Sequence, residues 1–134
     1  MATAASAQPV TSGAGTSVRC ADGTFPITAP VSEVFGGAAN NEIVALTASK
    51  EIRLYRWILQ STADVQLKFV QGTGTDCATS EIAVTNRIDP FSTVNRPVDS
   101  EHLVTPIIAP AGKALCLDAS GAATITGYIS YCVD

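Results

Sequence analysis

From Glu42 to Val133 the sequence runs in short apolar or alternating stretches, broken by Gly, Pro, Asn and Ser about every ten residues. No long stretch carries a helical repeat, so the chain is expected to be all-β. Asp64–Val70 is the cleanest segment. Val65, Leu67 and Phe69 point one way and Gln66 and Lys68 the other, the period-two pattern of a half-buried strand. Glu42–Ala48, Glu51–Gln60 and Glu81–Thr85 are further strand candidates, and Gly72-Thr73-Gly74 interrupts the series. Leu103–Ala109 holds Pro106, which confines it to an edge or a break. Lys113–Leu117 and Ala123–Val133, separated by the small residues Asp118–Ala122, read as a hairpin turning near Ser120–Gly121. Ile125, Ile129, Tyr131 and Val133 share one face of its second strand. Gly127 lies among them, where a side chain of an opposite sheet can approach closely. Seven or eight such strands predict an antiparallel β-sandwich or jelly roll. The immunoglobulin variant is disfavoured, because Trp57 stands far from both Cys20 and Cys77.

A chain of 134 residues is expected to form one domain. Residues 20–134 are assigned to the β-sandwich and residues 1–19 to an extended N-terminal arm. Small, polar and Gly residues dominate that arm, which would not bury enough apolar surface to order alone. It is either a loose tail or an arm that orders on a neighbouring subunit, with Pro9, Val10 and Val18 as candidate contacts. Its first basic residue is Arg19 and no apolar block precedes it, so no secretory signal is expected and synthesis is placed in a cytoplasm. Charged residues make up 15% of the chain, against ~25% in an ordinary soluble domain. That suits a surface covered by copies of itself or by a partner. With eight Lys and Arg and a net charge of −4, binding to nucleic acid by phosphate neutralisation is not expected. No apolar run approaches the ~20 residues of a membrane span, and no membrane partner is expected.

The four cysteines, Cys20, Cys77, Cys116 and Cys132, contain no pair spaced for a zinc finger or a thioredoxin-like site. Buried free thiols and disulfides are the two readings. A cytoplasmic product does not usually hold disulfides, whereas a released particle acquires them outside the cell. Cys20 opens the expected domain and Cys132 nearly ends it. Because domain termini often lie close together, Cys20–Cys132 is geometrically reasonable and leaves Cys77 with Cys116. In the hairpin register Cys116 faces a residue near Thr126, which makes Cys116–Cys132 a poor pair. Interchain bridges stay open.

Motifs for catalysis are absent: there is no G-x-S-x-G elbow, P-loop or H-E-x-x-H. His102 sits in Asp99-Ser100-Glu101-His102, but adjacency in sequence does not produce triad geometry. It reads as a solvated loop histidine, and no enzyme activity is expected. Thr73–Asp76 and Asp118 are too sparse for a calcium loop, and no metal or cofactor is expected. Tyr55, Trp57, Tyr128 and Tyr131 suggest a sugar-binding platform, although an aromatic stripe on strands is more often core or subunit interface.

Three pieces of sequence carry a family resemblance. The first is Lys50-Glu51-Ile52-Arg53-Leu54-Tyr55, leading into Asp64-Val65-Gln66-Leu67-Lys68-Phe69. The second is Gly74-Thr75-Asp76-Cys77. The third is Ala109-Pro110-Ala111-Gly112-Lys113-Ala114-Leu115-Cys116-Leu117, closed by Ile125-Thr126-Gly127-Tyr128-Ile129-Ser130-Tyr131. Together they resemble the small β-sandwich virion structural proteins of tailed bacteriophages. The resemblance implies a capsid decoration (cement) protein that binds the assembled head, or a fibre module, and it implies pairing of Cys77 with Cys116. The first 49 residues, with Cys20, and Cys132 lie outside the common pattern. The partners expected on this reading are the major capsid protein and copies of the chain itself, a trimer being favoured over a dimer. The place is the outer surface of the capsid. The alternative is a carbohydrate- or receptor-binding module of a tail fibre or spike.

Overall fold

The computed structural model describes residues 18–85, 98–99 and 105–134. The expected contacts Pro9 and Val10, and the loop histidine His102, lie outside these residues. Among the described residues nine strands make two antiparallel sheets that pack face to face, an all-β sandwich. They are β1 (Ile27–Phe35), β2 (Ala39–Val44), β3 (Ile52–Ser61), β4 (Leu67–Thr73), β5 (Thr79–Ala83), β6 (Val98–Asp99), β7 (Ile107–Ala109), β8 (Ala114–Ala119) and β9 (Ala123–Val133). One sheet runs β1-β9-β3-β6, with β7 also on β3; the other runs β2-β8-β4-β5.

The pairing is nested. β1 pairs β9, β2 pairs β8, β3 pairs β7, and β4 pairs β5. The chain is thus one long antiparallel hairpin whose tip is the β4–β5 turn, rolled so that β3 also meets β9 and β4 also meets β8. This overturns the expected β8–β9 hairpin. The turn after Ala119 carries the chain from one sheet to the other, and β8 and β9 do not pair. Cys116 therefore faces Glu42 and Val70, not a residue near Thr126. Strand β1 is absent from the sequence reading. Toward the core it turns Val31 and Phe35, with the charged Glu33 between them, and it holds Pro30, which an edge strand tolerates because one row of its N–H groups has no ladder partner.

Between the sheets lies the core. Phe69, Leu67, Leu115 and Leu117 come from one sheet and Ile52, Leu54, Leu59, Ile125 and Ile129 from the other; none of them is more than 1% exposed. Trp57 crosses the layer to Phe69, with ring centroids 5.0 Å apart and the planes at 58°. Each such side chain contributes roughly 1.5–3 kcal/mol by leaving water. A bulge in β3 between Leu54 and Arg56 shifts the register against β9. Residues Ile52 and Leu54 before the bulge, and Trp57 and Leu59 after it, all reach this core, while Tyr55 at the bulge is buried in a separate cluster.

Candidate functional site

The two disulfides lie on opposite sides of the sandwich, and each closes one end of the rolled hairpin. Cys77 belongs to a 3-10 turn, Thr75–Cys77, at the hairpin tip. It is bonded to Cys116 of β8 in a small cluster with Val70 and Ala114. Asp76 and Cys77 both adopt left-handed backbone, with φ of 52° and 59°. Asp76 Oδ1 accepts the Glu42 N–H at 2.9 Å, tying the tip to β2 as well. That contact places Asp76 in the fold's framework.

Cys20 is bonded to Cys132 of β9, joining the two free ends of the hairpin. This bridge packs on Tyr55, with Val18 against the same cluster. Residues 18–24 thereby form a strap over the bulge of β3. Hydrogen bonds fix the strap: Cys20 N–H to Thr24 O at 2.8 Å and Gly23 N–H to Cys20 O at 2.9 Å. Ala21 N–H also donates to Asp134 Oδ1 at 2.8 Å. The Arg19 guanidinium lies 3.7 Å above the Phe25 ring. Thr24 donates through both its hydroxyl and its N–H to Asp22, which holds that carboxyl below its ordinary range. Cys20, Cys132 and Asp134 bring three potential metal ligands together. With the two sulfurs bonded to each other, no thiolate is offered, and the cluster is not a metal centre.

Beyond the strap, the outer face of the β1-β9-β3 sheet carries Tyr128, which is exposed. The register sets its rows. Thr28, Ser130 and Arg56 lie side by side, then Pro30, Tyr128 and Ile58, then Ser32, Thr126 and Gln60. Thr28 Oγ1 and Ser130 Oγ are 3.2 Å apart. Around the middle row is a shallow depression of about 500 Å³, lined by Pro30, Ile58, Gln60, Thr126, Gly127 and Tyr128, with Val31 and Leu59 beneath. Among the described residues its lining carries no charged group. Tyr128 is 57% exposed. Next to it, Gly127 has φ of +149°, and a Cβ there would stand 1.8 Å from the Ile58 carbonyl oxygen. The close approach at Gly127 therefore comes from the backbone of β3 in the same sheet, not from a side chain of the opposite one.

The structure pairs the four cysteines intrachain, with no free cysteine. It does not assemble the four-aromatic platform. Trp57 lies in the core with Tyr131 packed against it, and Tyr55 is buried under the strap. Tyr128 alone of the four is exposed. Its neighbours Pro30, Ile58, Gln60 and Thr126 are not recognisable from sequence, because only the strand register brings them together. The one local signal is Gly127-Tyr128 itself, an outward aromatic beside a glycine in a strand whose inward positions are Ile. Among the described residues no helix is long and apolar enough to cross a membrane. No family model, curated protein or solved structure matches the chain.

Proposed function

We propose that the chain is a bacteriophage capsid decoration (cement) protein, a jelly roll that binds the assembled head and stabilises it by bridging capsid subunits. Its partners are the major capsid protein and copies of itself, arranged as a trimer on the outer surface of the head after synthesis in the host cytoplasm. The nested strand order supports the jelly-roll reading, an architecture common to viral capsid and lectin domains. Charged residues at 15% of the chain suit a surface partly covered by other subunits. Two intrachain disulfides suit a particle released into oxidising surroundings.

The observation that carries the reading is the Cys20–Cys132 disulfide, which would root the proposed arm covalently. Residues 1–19 lead into Cys20, which is bonded to Cys132, and β9 is held on both sides by β1 and β3. An arm gripping a neighbouring subunit through Pro9 and Val10 pulls on a central strand, not on a terminus free to peel away. Internal pressure on a filled head is resisted by many such repeated contacts. The test is quantitative protein analysis of purified particles. A copy number comparable to that of the major capsid protein, lost together with head stability on deletion of residues 2–17, supports decoration. A few copies per particle, or none, overturns it.

A further inference from the structure

We propose that the depression around Tyr128 is a binding site for a neutral pyranose sugar. This goes beyond the decoration role and stands or falls separately from it. The chemistry of the lining selects the ligand. Tyr128 offers an exposed aromatic ring, an apolar body with a polar tip, against which the C–H face of a sugar ring stacks. Gln60 supplies an amide with both donor and acceptor, and Thr126 a hydroxyl with both. That matches sugar hydroxyls, which also donate and accept. Among the described residues the lining holds neither a carboxylate nor an ammonium group; the charged Arg56 stands one row away beside Ser130, and the β6 residue paired with Ile58 is Asp99.

Size and rigidity agree with this assignment. A depression of about 500 Å³ falls within the ~300–1,000 Å³ of small-molecule sites. The groups around it stand on three hydrogen-bonded strands, β1, β9 and β3, and rigid elements hold ligand groups more precisely than loops. A second copy of the chain is the competing occupant, and the test below separates the two. Pro30, Ile58 and Tyr128 are the apolar side chains of three adjacent rows, flanked by Thr28, Ser130, Arg56, Ser32, Thr126 and Gln60. A single open site of this kind binds on the order of millimolar, and repetition on a particle raises the avidity.

The test is an NMR titration of the full, oxidised chain with the methyl glycosides of glucose, galactose and mannose and with N-acetylglucosamine. At least one is expected to shift amides of Gln60, Thr126, Gly127 and Tyr128 while leaving the Cys77–Cys116 cluster unmoved. Tyr128→Ala is expected to weaken binding at least tenfold and Tyr128→Phe to retain it, both with unchanged melting temperature. Four outcomes overturn the proposal: no shift by any of the four sugars at ~50 mM, well above the expected dissociation constant; shifts that survive Tyr128→Ala; binding confined to a uronic or sialic acid added as a control; or self-association that Tyr128→Ala abolishes.

Discussion

Gly127 and Ile58 meet through their backbones: a Cβ on Gly127 would stand 1.8 Å from the Ile58 carbonyl oxygen and 2.8 Å from its carbon. The obstacle is a strand backbone in a two-sided ladder, which cannot swing aside like a side-chain end. The φ of +149° adds strain for any L side chain. Gly127→Ala is expected to destabilise the oxidised protein by about 2–4 kcal/mol, measured by urea denaturation. Gly37→Ala is the control, because a Cβ there meets nothing within 4 Å. A neutral Gly127→Ala would mean that β3 and β9 separate easily at this point.

The two disulfides are expected to differ in how they open and in what they release. Cys20 keeps a trace of exposure, while Cys77 and Cys116 have none. Mild reductant should therefore cleave Cys20–Cys132 first, since a thiolate must reach a sulfur. Replacing both Cys20 and Cys132 by Ser should speed amide exchange in residues 18–24 and uncover Tyr55. Replacing Cys77 and Cys116 should instead loosen the tip and β5, where Asp76 and Cys77 are held in left-handed backbone. The bridges span 112 and 39 residues of sequence, so the chain-entropy model assigns them about 5 and about 4 kcal/mol. Hydrogen exchange and denaturation of the two double variants check both parts.

Strands β3 and β4 were legible because their core residues alternate, as in Leu67 and Phe69, and β8 because Ala114–Leu117 is a short continuous apolar run, buried on both faces. β1 was not, since Glu33 stands at the inward position between Val31 and Phe35 and Pro30 argues against a strand. The relation of β8 to β9 was beyond local reading. Asp118–Ala122 is a turn whether the chain returns in the same sheet or crosses to the other, and only the nested pairing of the whole chain decides. Cys20–Cys132 was accessible through the proximity of chain ends. The Tyr128 depression was not, because it is assembled from three strands whose register depends on the bulge at Tyr55.

Gln71 is a polar residue that the core holds at a cost. It pairs with Leu115 on one side and Ile82 on the other. It is 5% exposed, and among the described residues its Oε1 has no hydrogen-bond partner. A buried acceptor left unpaired costs about 1–3 kcal/mol. Gln71→Met, of similar length and without the amide, is expected to raise stability by about 1 kcal/mol. Thermal melting at fixed pH measures it. A loss of stability instead would show that the amide is satisfied within the folded protein.

Glu33 gives the stability a pH dependence of defined sign. It lies on β1 opposite Ile125. Burial pushes its carboxyl above the ordinary value of 4.5, and Asp76 adds to the rise, while a hydrogen bond from Asn41 of β2 offsets part of it. A raised carboxyl pKa means that the folded state binds the proton more tightly than the unfolded chain. Glu33 therefore favours folding below about pH 4.5, and this contribution is lost as the pH rises through the unfolded and then the folded value. Asp22, held low by Thr24, acts in the opposite sense from a surface position, so the whole-protein profile mixes the two. The informative quantity is the difference between the wild type and Glu33→Gln, which keeps the size and removes the charge. Glu33→Gln should gain on the wild type as the pH is raised from 4 to 7, with the gap opening just above pH 4.5 and then holding constant. Urea titrations of both proteins at several pH values would show it. A gap that is constant across the whole range would mean that Glu33 titrates alike in the folded and unfolded chains.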